Sequence, residues 1–147
     1  MDIAQYLLIS VLLSSGIICG YVLSFFVRSE LKTGKKLIGL FQKLILVGLA
    51  AVLIFNGVYT FGTSVLIIAM LIFYFLANDL IFFAFGILIF LASFYLNVFL
   101  WVSVLLFLYS LLFGLLQYRK HPNYLLKVSA LFFLSSFITY LFFWMFY

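Results

Sequence analysis

Charge is what this sequence has least of. Only 7% of its 147 residues are Asp, Glu, Lys or Arg, and just three of those are acidic. Soluble domains carry about 25% charged residues, and a water-facing surface needs roughly a quarter to a third. With 69% hydrophobic residues and a mean hydropathy of +1.42, the chain must be solvated by lipid. Cysteine is nearly absent too. Cys19 is the only one and lies in an apolar run, which excludes an intrachain disulfide and a multi-cysteine metal site.

Catalytic groups are equally scarce. A hydrolytic triad needs a nucleophile, a base and an orienting group together, yet the single histidine, His121, stands in a basic loop beside Pro122 with no acid near it in sequence. An intramembrane serine site of the rhomboid type would need Gly-x-Ser-Gly, whereas Gly62-Thr63-Ser64 is followed by Val65. Metal centres take several His, Cys, Asp or Glu ligands, and the few present are scattered over separate segments. There is no glycine-rich phosphate loop. The expectation is a protein that is not an enzyme and carries no cofactor or metal. The pI near 9.4 does not point to nucleic acid, because no soluble basic domain exists.

Long apolar runs are what the chain does have. A transmembrane helix takes about 20 residues, so the length allows about six with short loops. Charges, Asn, Gly and the one proline punctuate the runs at 3–27, 37–56, 60–77, 80–96, 98–117 and 124–146. The stretch 80–117 has no charge and as one helix would reach roughly 57 Å, against a hydrocarbon core of about 30 Å. It must double back, and the expected turn is around Asn97, between Tyr95 and Trp101 as interfacial aromatics. The predicted fold is an all-α polytopic membrane bundle of about six helices in a single domain. A β-barrel would alternate apolar and polar residues, whereas 82–96 is apolar at both parities. The N-terminus, with Asp2 and no basic residue before its apolar run, reads as a retained first span rather than a cleavable signal.

Orientation follows from the basic residues. Five (Arg28, Lys32, Lys35, Lys36, Lys43) lie at 28–43 and three (Arg119, Lys120, Lys127) at 119–127. Basic loops stay cytoplasmic, and an even number of crossings must separate two clusters on one side. Six spans put four between them. Both termini are then outside, with the loops at 28–36 and 118–123 and the turn Asn78-Asp79 inside, in a cell membrane. Lys35-Lys36 with Lys43, and Arg119-Lys120 with Lys127, share the pattern basic-Lys-x6-Lys; it fits either a duplicated hairpin or plain snorkelling near inward helix ends.

Three groups of positions are candidate sites. Lys36, Lys43, Lys120 and Lys127 are candidate contacts for anionic lipids, since each basic residue near a negative leaflet adds about 1 kcal/mol. Asp79 with Asn78 is the candidate ion or substrate pathway, because ionisable groups at membrane depth mark such pathways; the competing role is a helix cap. Gly16, Gly20 and Ser24 form a small-residue face that lets backbones approach, either within the monomer or toward a homo- or hetero-oligomeric partner.

The loop Ser29-Glu30-Leu31-Lys32-Thr33-Gly34-Lys35-Lys36 resembles one that follows the first span in small archaeal multi-pass membrane proteins, where Glu-Glu-Leu or Glu-Glu-Ile precedes Gly and two basic residues. Here Ser29 replaces the first acid. The resemblance covers about nine residues, implies a multi-pass membrane protein and carries no functional residue. The favoured reading of the whole chain is a non-catalytic scaffold or accessory subunit of a membrane complex. Its rivals are a small transporter or channel using Asp79 and a protein that handles anionic lipid.

Overall fold

The computed structural model describes residues 3–56, 81–117 and 122–146, and these are helical, with no strand among them. Five helices appear: α1 (Ile3–Phe26), α2 (Arg28–Phe55), α3 (Ile81–Ala92), α4 (Leu96–Leu116) and α5 (Pro122–Phe146). Four of them, α1, α2, α4 and α5, are long and apolar enough to cross a membrane. The expected third span, 60–77, lies outside the described residues.

Two boundaries differ from the sequence expectation. The charged loop at 28–36 is not a loop: α2 begins at Arg28, and the break from α1 is confined to Val27, with φ −109° and ψ 24°. Arg, Glu, Leu and Lys are good helix formers, and no proline interrupts them. The Val27 carbonyl accepts from the N–H groups of Glu30 (3.1 Å) and Leu31 (3.0 Å), so the new helix starts at once. The second difference is the turn in the uncharged stretch, which falls at Ser93–Tyr95 instead of Asn97. Ser93 Oγ donates to Phe90 O at 2.6 Å, and the Tyr95 N–H donates to Ala92 O at 2.9 Å. Side-chain and backbone donors thus satisfy the carbonyls that α3 leaves open. Tyr95 is extended and starts α4, which leaves Asn97 exposed in its first turn. The described part of α3 is therefore 12 residues, about 18 Å of helix.

Helix directions follow from which residues meet. Gly16 faces Phe107 and Ser110, and Gly20 faces Leu111, so α1 and α4 run parallel. Phe82 packs on Phe113 at 4.8 Å and Phe85 on Tyr109 at 5.0 Å, so α3 is antiparallel to α4. Gly86 lies against Phe132 and Ser135, and Phe90 reaches Tyr140 at 6.5 Å, which makes α3 parallel to α5. Gly20 and Gly48 are 28 positions apart, about 42 Å along a straight helix. Yet both lie on α4, at Leu111 and Leu105. The chain therefore reverses at Val27, and α2 climbs α4 while scarcely touching α1. As a result, Asn56 at the end of α2 and Ile81 at the start of α3 lie toward opposite ends of the bundle.

Burial separates an inner helix from an outer one. Nine of the 12 residues of α3 are buried, whereas α2 buries one stripe, Leu31, Gln42, Leu46, Leu49 and Leu53. Its other side shows Leu37, Leu40, Phe41, Leu44 and Val47. Large apolar side chains are exposed all round the bundle, among them Phe26, Trp101 and Trp144. A water-soluble monomer rarely tolerates so much contiguous apolar surface; hydrocarbon solvates it without cost.

Candidate functional site: helix seams and the basic end

The glycine face of α1 is built into the molecule. A Cβ at Gly20 would overlap Leu111 O and stand 2.8 Å from Leu111 C; one at Gly114 would overlap Ile17 O and stand 2.8 Å from Tyr21 N. The two glycines thus let α1 and α4 touch backbone to backbone, as small residues do where water exclusion no longer drives association. Gly16 packs more loosely, with Phe107 and Ser110 atoms at 3.2 Å from a Cβ built there. Ser24 is buried on the same side and turns its hydroxyl to its own helix, donating to Tyr21 O. Of the three candidate packing positions, Gly16 and Gly20 meet α4 of the same chain, which leaves that face no room for a partner helix.

A second seam joins α1 to α5, and the hydroxyls of Tyr6 and Ser129 reach across it. Tyr6, Ser10 and Ser14 recur every four residues, one side of a 3.6-residue helix. Tyr6 is buried, its hydroxyl donates to Ser136 O at 3.1 Å, and its ring stacks on Tyr140 at 5.1 Å. Phe90 of α3 closes the cluster edge-on to Tyr6 at 6.4 Å. Ser129 Oγ donates to Ser14 O at 3.4 Å, a long bond further down the seam. On α5 itself, Ser135 and Ser136 donate to Phe132 O (2.8 Å) and Phe133 O (2.9 Å), and Thr139 donates to Ser135 O. Such bonds to the preceding turn satisfy hydroxyls inside an apolar helix. Ser135 also lies over Gly86, where a Cβ would collide with its Oγ and approach Phe132 O to 2.8 Å.

No known protein family, curated protein or solved structure matches this chain. Its chemistry rests on its own residues.

Of the described candidate cations, Lys36 and Lys127 lie toward one end of the bundle, while Lys43 is near the middle of α2. Lys35 and Lys36 are in the first turns of α2, next to the C-terminal end of α1. Because α5 is antiparallel to α1, its start at Pro122 is at that same end. Lys36, Lys43 and Lys127 are all exposed. They do not form one group, however: Lys127 is carried by α5, which packs on α1 and α3, while Lys36 and Lys43 are carried by α2, which packs on α4. Lys120, Asn78 and Asp79 lie outside the described residues.

The sequence reading missed Tyr6 and Gly86. The four-residue recurrence of Tyr6, Ser10 and Ser14 was the available signal for the first. Nothing local distinguishes Gly86 from any other glycine in an apolar run, because its role depends on Ser135, 49 positions away.

Proposed function

We propose that this chain is a six-crossing integral membrane protein that acts as a non-catalytic scaffold or accessory subunit of a membrane complex. The observation that carries the reading is how the interior polar and small residues are used. Gly20 and Gly114 are spent on the contact of α1 with α4. Gly86 is spent on α3 with α5, and Tyr6 on α1 with α5. The result is a closely packed apolar body with its described lysines Lys36, Lys43 and Lys127 exposed, which suits a subunit that works by being in place.

The crossing number has separate support. Asn56 and Ile81 fall toward opposite ends of the bundle, which fits a crossing between them, and the sequence offers the apolar run 60–77 for it. With the basic ends of α2 and α5 in the cytoplasm, both termini face outward and the turn at Ser93–Tyr95 does too. Since α4 covers Gly16 and Gly20, the partner is met by another helix than α1's glycine face.

Native mass spectrometry of the protein, gently extracted from its own membrane, tests the assignment. The expected result is an unlike subunit at fixed stoichiometry. A monomer, or a homo-oligomer alone, overturns it.

A further inference from the structure

The outward side of α2 has an arrangement that no other described helix shows. Lys36 and Lys43 are seven residues apart, about 10.5 Å along the axis and within about 20° of the same direction. Both are exposed. Between them is Gly39, where a Cβ would have nothing within 4 Å. Continuing up the same direction, Val47 is 66% and Ile54 46% exposed. The buried stripe Leu31, Gln42, Leu46, Leu49 and Leu53 that faces α4 lies about a quarter to a third of a turn round the helix, on the Gly39 side. Along the direction of the lysines the surface therefore reads, from the basic end upward, cation, open glycine beside the exposed Leu40, cation, apolar wall.

The order of these groups decides what fits. Lys43 sits two turns above Lys36, on a surface otherwise facing hydrocarbon, and its ammonium gains by reaching down toward the polar layer. That path runs over Gly39, the one position in between with no side chain. The lysine stem is long enough for Lys43 to bring its ammonium down toward Lys36, on a surface that lipid covers. Two cations drawn together there repel unless an anion lies between them. Glu30 is the only carboxylate among the described side chains and lies a turn and a half nearer the helix start, turned about 120° away. The anion that reaches this surface from the leaflet is a lipid phosphate, and Val47 and Ile54 continue the face as a bed for its acyl chain.

We infer that Lys36, Gly39 and Lys43 on α2 form a binding site for one acidic phospholipid of the inner leaflet, the two lysines holding the headgroup across the glycine gap. Lys127, on a different face, is outside the site. This goes beyond the subunit assignment and is tested separately from it; the leaflet named rests on the orientation proposed above.

The test uses the full-length protein in vesicles of phosphatidylglycerol and phosphatidylcholine, followed by mild detergent extraction and a count of phosphatidylglycerol retained per chain. The wild type and Lys127→Gln are expected to retain one. Lys36→Gln with Lys43→Gln loses it, with affinity down about 30-fold for two headgroup contacts. Gly39→Leu keeps every charge but fills the gap, and is expected to lose the lipid as well. Retention by Gly39→Leu at the wild-type level overturns the site, as does an equal loss in Lys127→Gln, since either means the lysines act only as diffuse charge. Thermal midpoints of all variants are expected to match the wild type, because the lysines are exposed and a Cβ at Gly39 meets nothing within 4 Å.

Discussion

Gly20→Ala is expected to lower the stability of the bundle by about 2 kcal/mol, although alanine is the better helix former. The gain in helix propensity is about 1 kcal/mol. Against it, the new Cβ overlaps Leu111 O and stands 2.8 Å from Leu111 C, both backbone atoms that no rotamer change can move. Overpacking of this kind costs about 1–3 kcal/mol, occasionally more, and rigid helices place Gly20 at the upper end. Gly114→Ala pushes the same two helices apart from the other side, through Ile17 O and Tyr21 N. The double variant is therefore expected to cost less than the sum, since the first substitution already opens the interface. Denaturant unfolding in detergent, followed by circular dichroism, measures both. Gly39→Ala, with open space over it, is the control and is expected to be no less stable than wild type. A Gly20→Ala protein as stable as that control would mean that α1 and α4 do not meet at the backbone.

Tyr6→Ala is the second large effect, expected at about 3 kcal/mol, within the range for removing a buried aromatic ring. In lipid the transfer part of that cost shrinks, because hydrocarbon is as apolar as the interior. The cavity part remains, as do the lost ring contacts with Tyr140 at 5.1 Å and Phe90 at 6.4 Å, each worth about 0.5–1.5 kcal/mol. Tyr6→Phe keeps both ring contacts and removes only the donor to Ser136 O. Its expected cost is about 1 kcal/mol, the net value of one hydrogen bond. The ratio between the two variants is the informative quantity. If Tyr6→Phe costs as much as Tyr6→Ala, the hydroxyl and not the ring holds α1 to α5. Equal stability of all three proteins would mean that the seam between α1 and α5 carries no packing energy.

The helical class, and helices apolar enough to cross a membrane, were legible in a composition with 69% hydrophobic and 7% charged residues. Helix ends were legible where a breaker marked them. Pro122 opens α5, as proline in a first turn does. Asn56 ends α2, with its Nδ2 donating to Val52 O at 2.8 Å. They were misread where charge or Asn suggested a loop that the backbone did not need. The segment 28–36 has helix-forming side chains and continues into α2. Asn97 yielded to Ser93, whose hydroxyl satisfies the last turn of α3. The small-residue face of α1 was visible as Gly16, Gly20 and Ser24, but not which helix covers it. That depends on Gly114, more than 90 positions away, whose backbone approach is a tertiary fact. The lysines were all visible as cations. Only the packing of α2 on α4, and of α5 on α1 and α3, separates Lys36 and Lys43 from Lys127, and only the structure shows that Gly39 between the two lysines is open.

The crossing number is the claim on which orientation, lipid leaflet and partner-facing surface all depend, and cysteine labelling tests it directly. In a Cys19→Ser background, single cysteines at Asn56, Asp79, Ser93 and Lys35 are exposed in intact cells to a maleimide that cannot cross the membrane. The account predicts labelling from outside at positions 56 and 93, and labelling at 79 and 35 only after the membrane is opened. Labelling of 56 and 79 from the same side would contradict it.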